Sequence, residues 1–355
     1  MRKLVIDRAA IKNNLTVIKD RAAGAAIYGV LTGDGQGVGA AALAQLLRDE
    51  GIGRFAVSEV SEAEALRQAG FVDEEILMLR ATTDREELER LVDLNVVCTV
   101  SSVDTGMALN ALAGNRSTVA EAHIQVDTGM GFGGFLVSEP EKLLLAYRSM
   151  PNVALSGVYT QLHAARPNDP QAKRQLEQFQ QALDAIHQAG FETGAVHAAG
   201  SFALLHGLAP ELDGVRAGSA ILGRCRRTRD DGLKTVGFGQ APLTEVRWLP
   251  KGHVLGVDRP VTLKKPTRVA VLPVGYQNGF GVTRPRETGL LAAIARWRKN
   301  NRRTVRLGSQ RSRVLGGLGA SELILDVTDV KCSVGDLATF EIDPLFARGF
   351  QVEFR

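Results

Sequence analysis

The sequence predicts an α/β fold, a (β/α)8 TIM barrel followed by a mainly antiparallel β domain, on three observations. Over roughly the first 225 residues, eight short apolar runs alternate with segments of helical period. Several of those runs carry Val, Ile and Leu on both faces, as strands covered on two sides do. Near residue 235 the pattern changes to strand-like runs that follow one another without long helices. The expected domains are residues 1–230 and 231–355, with the boundary between Arg224 and Gly239. A doubly wound parallel sheet is the alternative for the first domain.

The expected barrel strands are Ala26–Leu31, Arg54–Val57, Ile76–Leu79, Val96–Val100, Ala122–Val126, Val153–Tyr159, Gly194–His197 and Val215–Leu222. Helical stripes lie between them, such as Leu43, Leu46 and Leu47, or Leu176, Phe179, Leu183 and Ile186. Ser61 with Glu64, Thr83 with Glu86 and Ser138 with Glu141 fit capping boxes, and Gly51, Gly70 and Gly190 fall where helices end. In the second domain the strand-like runs are Leu243–Leu249, Pro260–Leu263, Thr267–Pro273, Arg313–Leu315, Leu323–Val327 and Leu337–Ile342, with one helix-like insert, Leu290–Lys299.

Composition excludes several classes. The chain has 355 residues, 45% hydrophobic and 23% charged, which is long and apolar enough for a core and argues against disorder. No apolar run reaches about 18 residues, so no membrane span is expected. The opening MRKLVIDRAAIKNNL reads as a strand and a helix rather than a signal peptide. Cys98, Cys225 and Cys332 are odd in number and far apart, which excludes a disulfide framework and points to a reducing cytoplasm. The net charge of +4 is mild, and nucleic acid is not an expected partner.

A barrel of this kind binds ligands at the C-terminal ends of its strands. After the first strand comes Thr32-Gly33-Asp34-Gly35-Gln36-Gly37-Val38-Gly39, where alternate glycines permit positive φ and close approach of a ligand. Gly35-x-Gly37-x-x-Ala40 with Glu59 loosely fits a dinucleotide fingerprint, and a plain turn opening a helix fits as well. Beyond the fifth strand lies Asp127-Thr128-Gly129-Met130-Gly131-Phe132. Ser201, Arg216 and the Gly218 and Ser219 amides form a candidate anion cup. Alternatively, Arg216 pairs with Asp213 or Asp127 while Ser201 caps the next helix. His163, after strand six, is a lone histidine, and the histidine spacing supports no metal site. No Gly-x-Ser-x-Gly elbow occurs. One basic cluster comprises Arg224, Arg226, Arg227 and Arg229. A second runs through Arg296, Arg298, Lys299, Arg302, Arg303, Arg306, Arg311 and Arg313, and both read as solvated faces.

Taken in order, several of these segments resemble the alanine racemase family along nearly the whole chain. Val5-Ile6-Asp7-x-x-Ala10-Ile11-x-x-Asn14-Leu15 resembles its first helix, and Val126-Asp127-Thr128-Gly129-Met130-Gly131 is the most specific match. His197-Ala198-Ala199-x-Ser201, Val215-Arg216-x-Gly218, Val274-Gly275-Tyr276-x-x-Gly279 and Asp326-Val327-Thr328-Asp329 are similar in register. The resemblance implies a barrel with a β domain, pyridoxal phosphate as cofactor and a two-fold dimer.

The same resemblance implies a site that has lost its chemistry. Thr32 stands where the family has its cofactor lysine, and a hydroxyl cannot form a Schiff base. Val257 replaces the tyrosine that acts as second base from the partner subunit. Phe132 replaces a substrate-carboxylate arginine, Gln125 a lysine, and Ala320-Ser321 a Met-Asp pair, while Gln36 and Phe354 lack phenolic hydroxyls directed at the phosphate. Gln161 falls where a histidine stacks on the cofactor, unless the loop slips and His163 takes that place. The expectation is a pseudoenzyme without catalytic residues, keeping Asp34, Gln36, Gln161, His163, His197, Ser201, Arg216, Gly218 and Ser219 as ligand candidates. Its ligand would be non-covalent pyridoxal phosphate or another small phosphate-like anion, and its partner a second copy or an active homologue. The alternative is lysine-independent chemistry on Asp34, Asp127, His163 and His197.

Overall fold

A computed structural model describes residues 1–163, 169–208, 211–225, 231–256, 260–283 and 303–355. The chain divides into two compact units: Ala10–Thr235, and Met1–Ala9 together with Val236–Arg355. Strand β1 (Lys3–Ile6) therefore belongs to the β unit, whereas the sequence pattern assigns it to the barrel. The reason is register: Lys3, Leu4 and Val5 pair with Gln240, Gly239 and Phe238, a partner more than 230 residues away.

In the barrel unit β2 (Ala26–Val30), β3 (Arg54–Val57), β4 (Glu75–Met78), β5 (Cys98–Val100) and β6 (Ala120–Asp127) are followed by a short β7 (Phe135–Leu136), then β8 (Val153–Tyr159), β9 (Ala195–Gly200) and β10 (Gly214–Ala217). Eight of these pair in parallel in the order β4-β3-β2-β10-β9-β8-β6-β5. The ends of that order meet at a parallel bridge, where Met78 N donates to Val97 O at 2.9 Å and Val97 N to Ile76 O at 2.8 Å. A ring with these connections is the (β/α)8 barrel, which decides against the open doubly wound sheet.

Between the strands run helices whose inner stripes are buried, such as Leu43, Ala44 and Leu47 of helix Ala40–Asp49. Gly51, Gly70 and Gly190 follow helix ends with φ of +79°, +89° and +81°, as expected for left-handed terminators. The starts differ from expectation. The helix caps are Glu59, Asp84 and Glu139, each one or two residues away from the Ser61, Thr83 or Ser138 that the sequence suggests. Carboxylates accept the amides in place of hydroxyls. Asp84 Oδ1 accepts from Glu87 N, and Glu62 accepts from Ser58 N and Glu59 N. The Ser102–Thr105 box was not anticipated, because threonine replaces the usual Glu or Gln.

The β unit adds β11 (Phe238–Pro242), β12 (Glu245–Leu249), β13 (Val254–Leu255), β14 (Val261–Thr262), β15 (Thr267–Leu272), β16 (Thr304–Leu307), β17 (Gln310–Leu315), β18 (Leu323–Asp326), β19 (Leu337–Glu341) and β20 (Gln351–Phe354). Nine of its strands form one sheet, in the order β12-β15-β18-β17-β16-β19-β11-β1-β20, antiparallel except where β1 meets β20. Strands β11, β13, β16 and β20 were missed, β13 being only two residues long and the others short and interrupted by Gly, Pro, Arg or Glu. The expected insert Leu290–Lys299 lies outside the described residues, as do Val257, Arg226, Arg227 and Arg229. Arg303 is half-buried over the Phe280 ring rather than fully solvated, while Arg306, Arg311 and Arg313 are exposed.

Inside the barrel, space is made by omission. A Cβ on Gly157 of β8 would lie 2.6 Å from the His123 ring, and one on Gly214 of β10 would lie 3.2 Å from Tyr28. Gly157→Ala is expected to destabilise the chain by about 1–3 kcal/mol through overpacking. A urea midpoint equal to that of the parent chain would contradict this packing.

Candidate functional site

The C-terminal end of β2 turns into an unusual backbone. Gly33, Asp34, Gly35 and Gln36 all have positive φ, at 69°, 52°, 62° and 58°, which makes one left-handed turn. Left-handed conformations cost about 1–2 kcal/mol for each residue with a Cβ, so Asp34 and Gln36 need compensation. Asp34 N donates to Glu62 Oε1 at 3.1 Å, and Asp34 Oδ1 accepts from Ala40 N at 2.8 Å. Gln36 Nε2 donates back to Thr32 O at 2.9 Å and Thr32 Oγ1 at 3.0 Å. The glycines thus serve this turn. The dinucleotide reading fails here, because the Asp34 carboxylate already occupies the first amide of helix Ala40–Asp49.

Deeper in the barrel, consecutive strands place polar side chains on the inner face. Arg216 of β10 is buried, and its NH1 donates to His197 Nδ1 on β9 at 2.5 Å. Its NH2 donates to Thr160 O at 2.6 Å and Gln161 Oε1 at 2.9 Å. A guanidinium only donates, so His197 Nδ1 accepts and its proton sits on Nε2. That proton is given to His123 Nδ1, 3.0 Å away on β6, which assigns His123 the same tautomer. His197 is sandwiched between Tyr28 and Tyr159, with centroids 5.0 and 5.1 Å away. The Tyr159 hydroxyl lies 3.0 Å from Thr99 Oγ1 and 3.2 Å from Leu79 O.

Burial governs the protonation of this cluster. It pushes His123 down to about 4, helped by the charges of Arg216 and Arg54. It holds His197 well below the ordinary imidazole range, and Arg216 and His123 add to that. Burial also brings Arg216 down to about 10, opposed by Tyr159 and Tyr28. No carboxylate of the described residues forms an ion pair with Arg216. Carbonyl, amide and imidazole acceptors carry its charge instead.

The anion cup is therefore smaller than expected. Arg216 directs both terminal nitrogens to acceptors inside the barrel, which leaves its Nε as the one guanidinium nitrogen with no acceptor among the described residues, and it pairs with neither Asp213 nor Asp127. Asp213 Oδ2 accepts from Val196 N, and Asp127 Oδ1 from the amides of Gly129, Met130 and Gly131. Ser201 does not cap its own helix. Its Oγ accepts from Gly218 N at 3.0 Å and Ala220 N at 3.2 Å, so the Gly218 amide is already taken. Within the cup, the Ser201 hydroxyl proton, the Ser219 amide and the Arg216 Nε–H have no acceptor among the described residues.

After β8, Gln161 and His163 take different partners. Gln161 reaches Arg216, whereas His163 Nδ1 donates to Gln175 Oε1 at 2.7 Å and its Nε2 lies 3.5 Å from Asp169. Gln175 Nε2 continues to Thr128 Oγ1 and Gln161 O, both at 3.2 Å, and Thr128 Oγ1 lies 2.8 Å from Thr160 Oγ1. Phe132 is 78% exposed and blocks nothing. Of the groups available for lysine-independent acid–base work, His163 and His197 are tied into structural hydrogen bonds through their rings, and Asp34 and Asp127 each through Oδ1 alone. Among the described residues, no group of three or more His, Cys, Asp or Glu side chains could hold a metal, and no helix is long and apolar enough to cross a membrane. His123, Tyr28, Tyr159 and Gln175 were missed as site residues. A histidine inside the doubly buried run Ala122–Val126 was the signal that could have revealed the first.

Fold and strand-end arrangement together define a two-domain barrel protein with its polar centre at the C-terminal ends of the strands. Family models for the alanine racemase N-terminal domain match residues 6–225, and those for the C-terminal domain residues 239–342. The chain belongs to the alanine racemase family. It is 30% identical to the alanine racemase of Desulfovibrio desulfuricans, over 93% of this chain and 86% of that one. With the Clostridium tetani alanine racemase it shares 29% identity, over 78% of this chain and 72% of that one. Among solved structures, the alanine racemase of Clostridium difficile 630 superposes with a TM-score of 0.86 at 21% identity, covering 100% of this chain and 95% of that chain. The Bartonella henselae enzyme, solved with covalently bound pyridoxal phosphate, gives 0.83 at 20%, covering 100% and 99%.

The depressed imidazoles make stability depend on pH. Each binds a proton more readily in the unfolded chain, so its contribution is complete above about pH 6.5 and declines as the pH falls toward 4. The expected loss from His123 is on the order of 2–3 kcal/mol across that window, measured as urea midpoints from pH 7 to pH 4. His123→Asn keeps the acceptor and should flatten the curve; an unchanged slope would count against the neutral pair. Separately, Arg216→Met should destabilise by about 1–3 kcal/mol, because it strands buried neutral acceptors. A smaller loss, under about 1 kcal/mol, would mean those acceptors find other donors.

Proposed function

We propose that this chain is a catalytically silent member of its family, which serves as a ligand-sensing or partner-binding scaffold. The observation that carries the reading is the end of β2. Thr32 stands at that strand end, and its hydroxyl and carbonyl are both bonded by Gln36. The other lysines of the barrel unit do not supply the missing amine. Lys12 and Lys19 are on helix Arg8–Ala22, where both pair with Glu50; Lys142 pairs with Glu139; Lys173 is on helix Pro170–Gln188; Lys234 is exposed, with its backbone held by Asn14. The donor set therefore does not fit a covalently held pyridoxal phosphate.

What the strand ends still offer includes the Ser201 hydroxyl and the Ser219 amide, which suit a small phosphate-like anion held non-covalently. Free pyridoxal phosphate is one such anion. Pairing with a second copy, or with an active homologue, follows the symmetry of most homologous assemblies. A reducing cytoplasm suits a chain whose Cys98, Cys225 and Cys332 form no disulfide with one another.

The test mixes the purified chain with pyridoxal phosphate and alanine, reading the absorbance band of a lysine-bound coenzyme and the optical rotation. No band and no racemisation are expected. A band with turnover overturns the reading. Thr32→Lys combined with Val257→Tyr is expected to restore little activity, at least about 10²-fold below an active family member, since the neighbouring groups remain changed.

A further inference from the structure

We propose a second binding site, outside the barrel mouth, for a compact molecule with an apolar body no larger than a benzene ring and a hydrogen-bond-donating head such as an amine. It does not depend on whether the barrel mouth is catalytically silent. After β6 the chain makes its glycine-rich turn and returns as β7, which pairs in parallel with β6, Val126 opposite Phe135 and Asp127 opposite Leu136. This extra strand, with helices Pro140–Ser149 and Pro170–Gln188, borders a pocket of about 140 Å³ that opens to solvent at an exposed rim of Leu136, Pro140 and Gln181. Val126, Phe135, Leu143 and Ala182 line it, all of them buried, and Gln181 is its amide.

A second chamber of about 210 Å³ meets the first at Leu136 and Val137. Its lining has a different character: Asp127, Thr128, Ser138 and Gln178. An apolar void of about 150 Å³ accepts benzene or xenon in other proteins. The inner chamber matches the body of such a ligand, and the outer chamber its head.

The charge of the head follows from Asp127. Its Oδ1 takes the amides of Gly129, Met130 and Gly131, which leaves Oδ2 with no hydrogen bond among the described residues. A carboxylate with an open oxygen, at the mouth of an apolar chamber, favours a cationic donor over an anion. Thr128 is already engaged, since its Oγ1 bonds Thr160 and Gln175. That fixes the floor of the outer chamber and leaves Asp127 as the group that selects the head.

Benzylamine is the probe, with toluene as its headless counterpart, and binding to the full chain is read as a saturable rise in melting temperature and by calorimetry. Both are expected to bind. Ala182→Leu fills the inner chamber and should abolish both. Asp127→Asn keeps the acceptor for the amides, and should weaken benzylamine about tenfold, roughly 1.4 kcal/mol, while leaving toluene unchanged. Absence of saturable benzylamine binding to the parent chain overturns the site, as does undiminished binding to folded Ala182→Leu. Equal effects of Asp127→Asn on both probes overturn the assignment of the head. If Ala182→Leu does not fold, the methyl resonances of Leu136 and Leu143 in xenon-saturated parent protein decide: shifts specific to these methyls support the site, and unmoved methyls overturn it.

Discussion

A guanidinium buried without a carboxylate partner dictates much of this barrel's interior. Removing a charge from water is costly unless its hydrogen bonds are replaced. Arg216 replaces them with Thr160 O, Gln161 Oε1 and His197 Nδ1. Those bonds in turn fix the His197 tautomer, and through it that of His123. The Tyr28–His197–Tyr159 stack holds the central ring at the height where Arg216 meets it. Even the glycines follow, because Gly157 and Gly214 leave the volume that these rings occupy.

The same strand ends explain how the family scaffold accommodates a threonine at position 32. The left-handed turn from Gly33 to Gln36 is strained, yet it is held from both sides by Asp34, Glu62 and Gln36. Nothing in that support requires a lysine at position 32. A threonine there satisfies its hydroxyl locally, with Gln36 as partner, so the substitution leaves no buried polar group stranded. Likewise Gln161 closes onto Arg216, and Ser201 onto the Gly218 and Ala220 amides. Several polar groups at these strand ends are therefore each other's partners.

The alternation of eight apolar runs with helical stripes made the barrel legible, since each run fell on an observed parallel strand. The glycines after helix ends were equally readable, because only their backbone freedom was at issue. Helix starts were less so, as Glu59, Asp84 and Glu139 replaced the expected hydroxyl caps. The alternation Thr32–Gly39 was recognisable as a special backbone, but its handedness was not. Glu62 and Ala40, whose contacts stabilise it, lie on later elements.

By itself the sequence determined the barrel, its family resemblance, and the absence of an amine at the end of β2, because these depend on residue type and local period. Only the tertiary structure decided that Arg216 turns inward and that Gln161 rather than His163 meets it. It alone also set β1 into the sheet of the C-terminal half. Each of those outcomes rests on contacts between residues far apart in the chain. Hydrogen-bond satisfaction of a buried charge, and strand pairing across more than 200 residues, have no local signature to read.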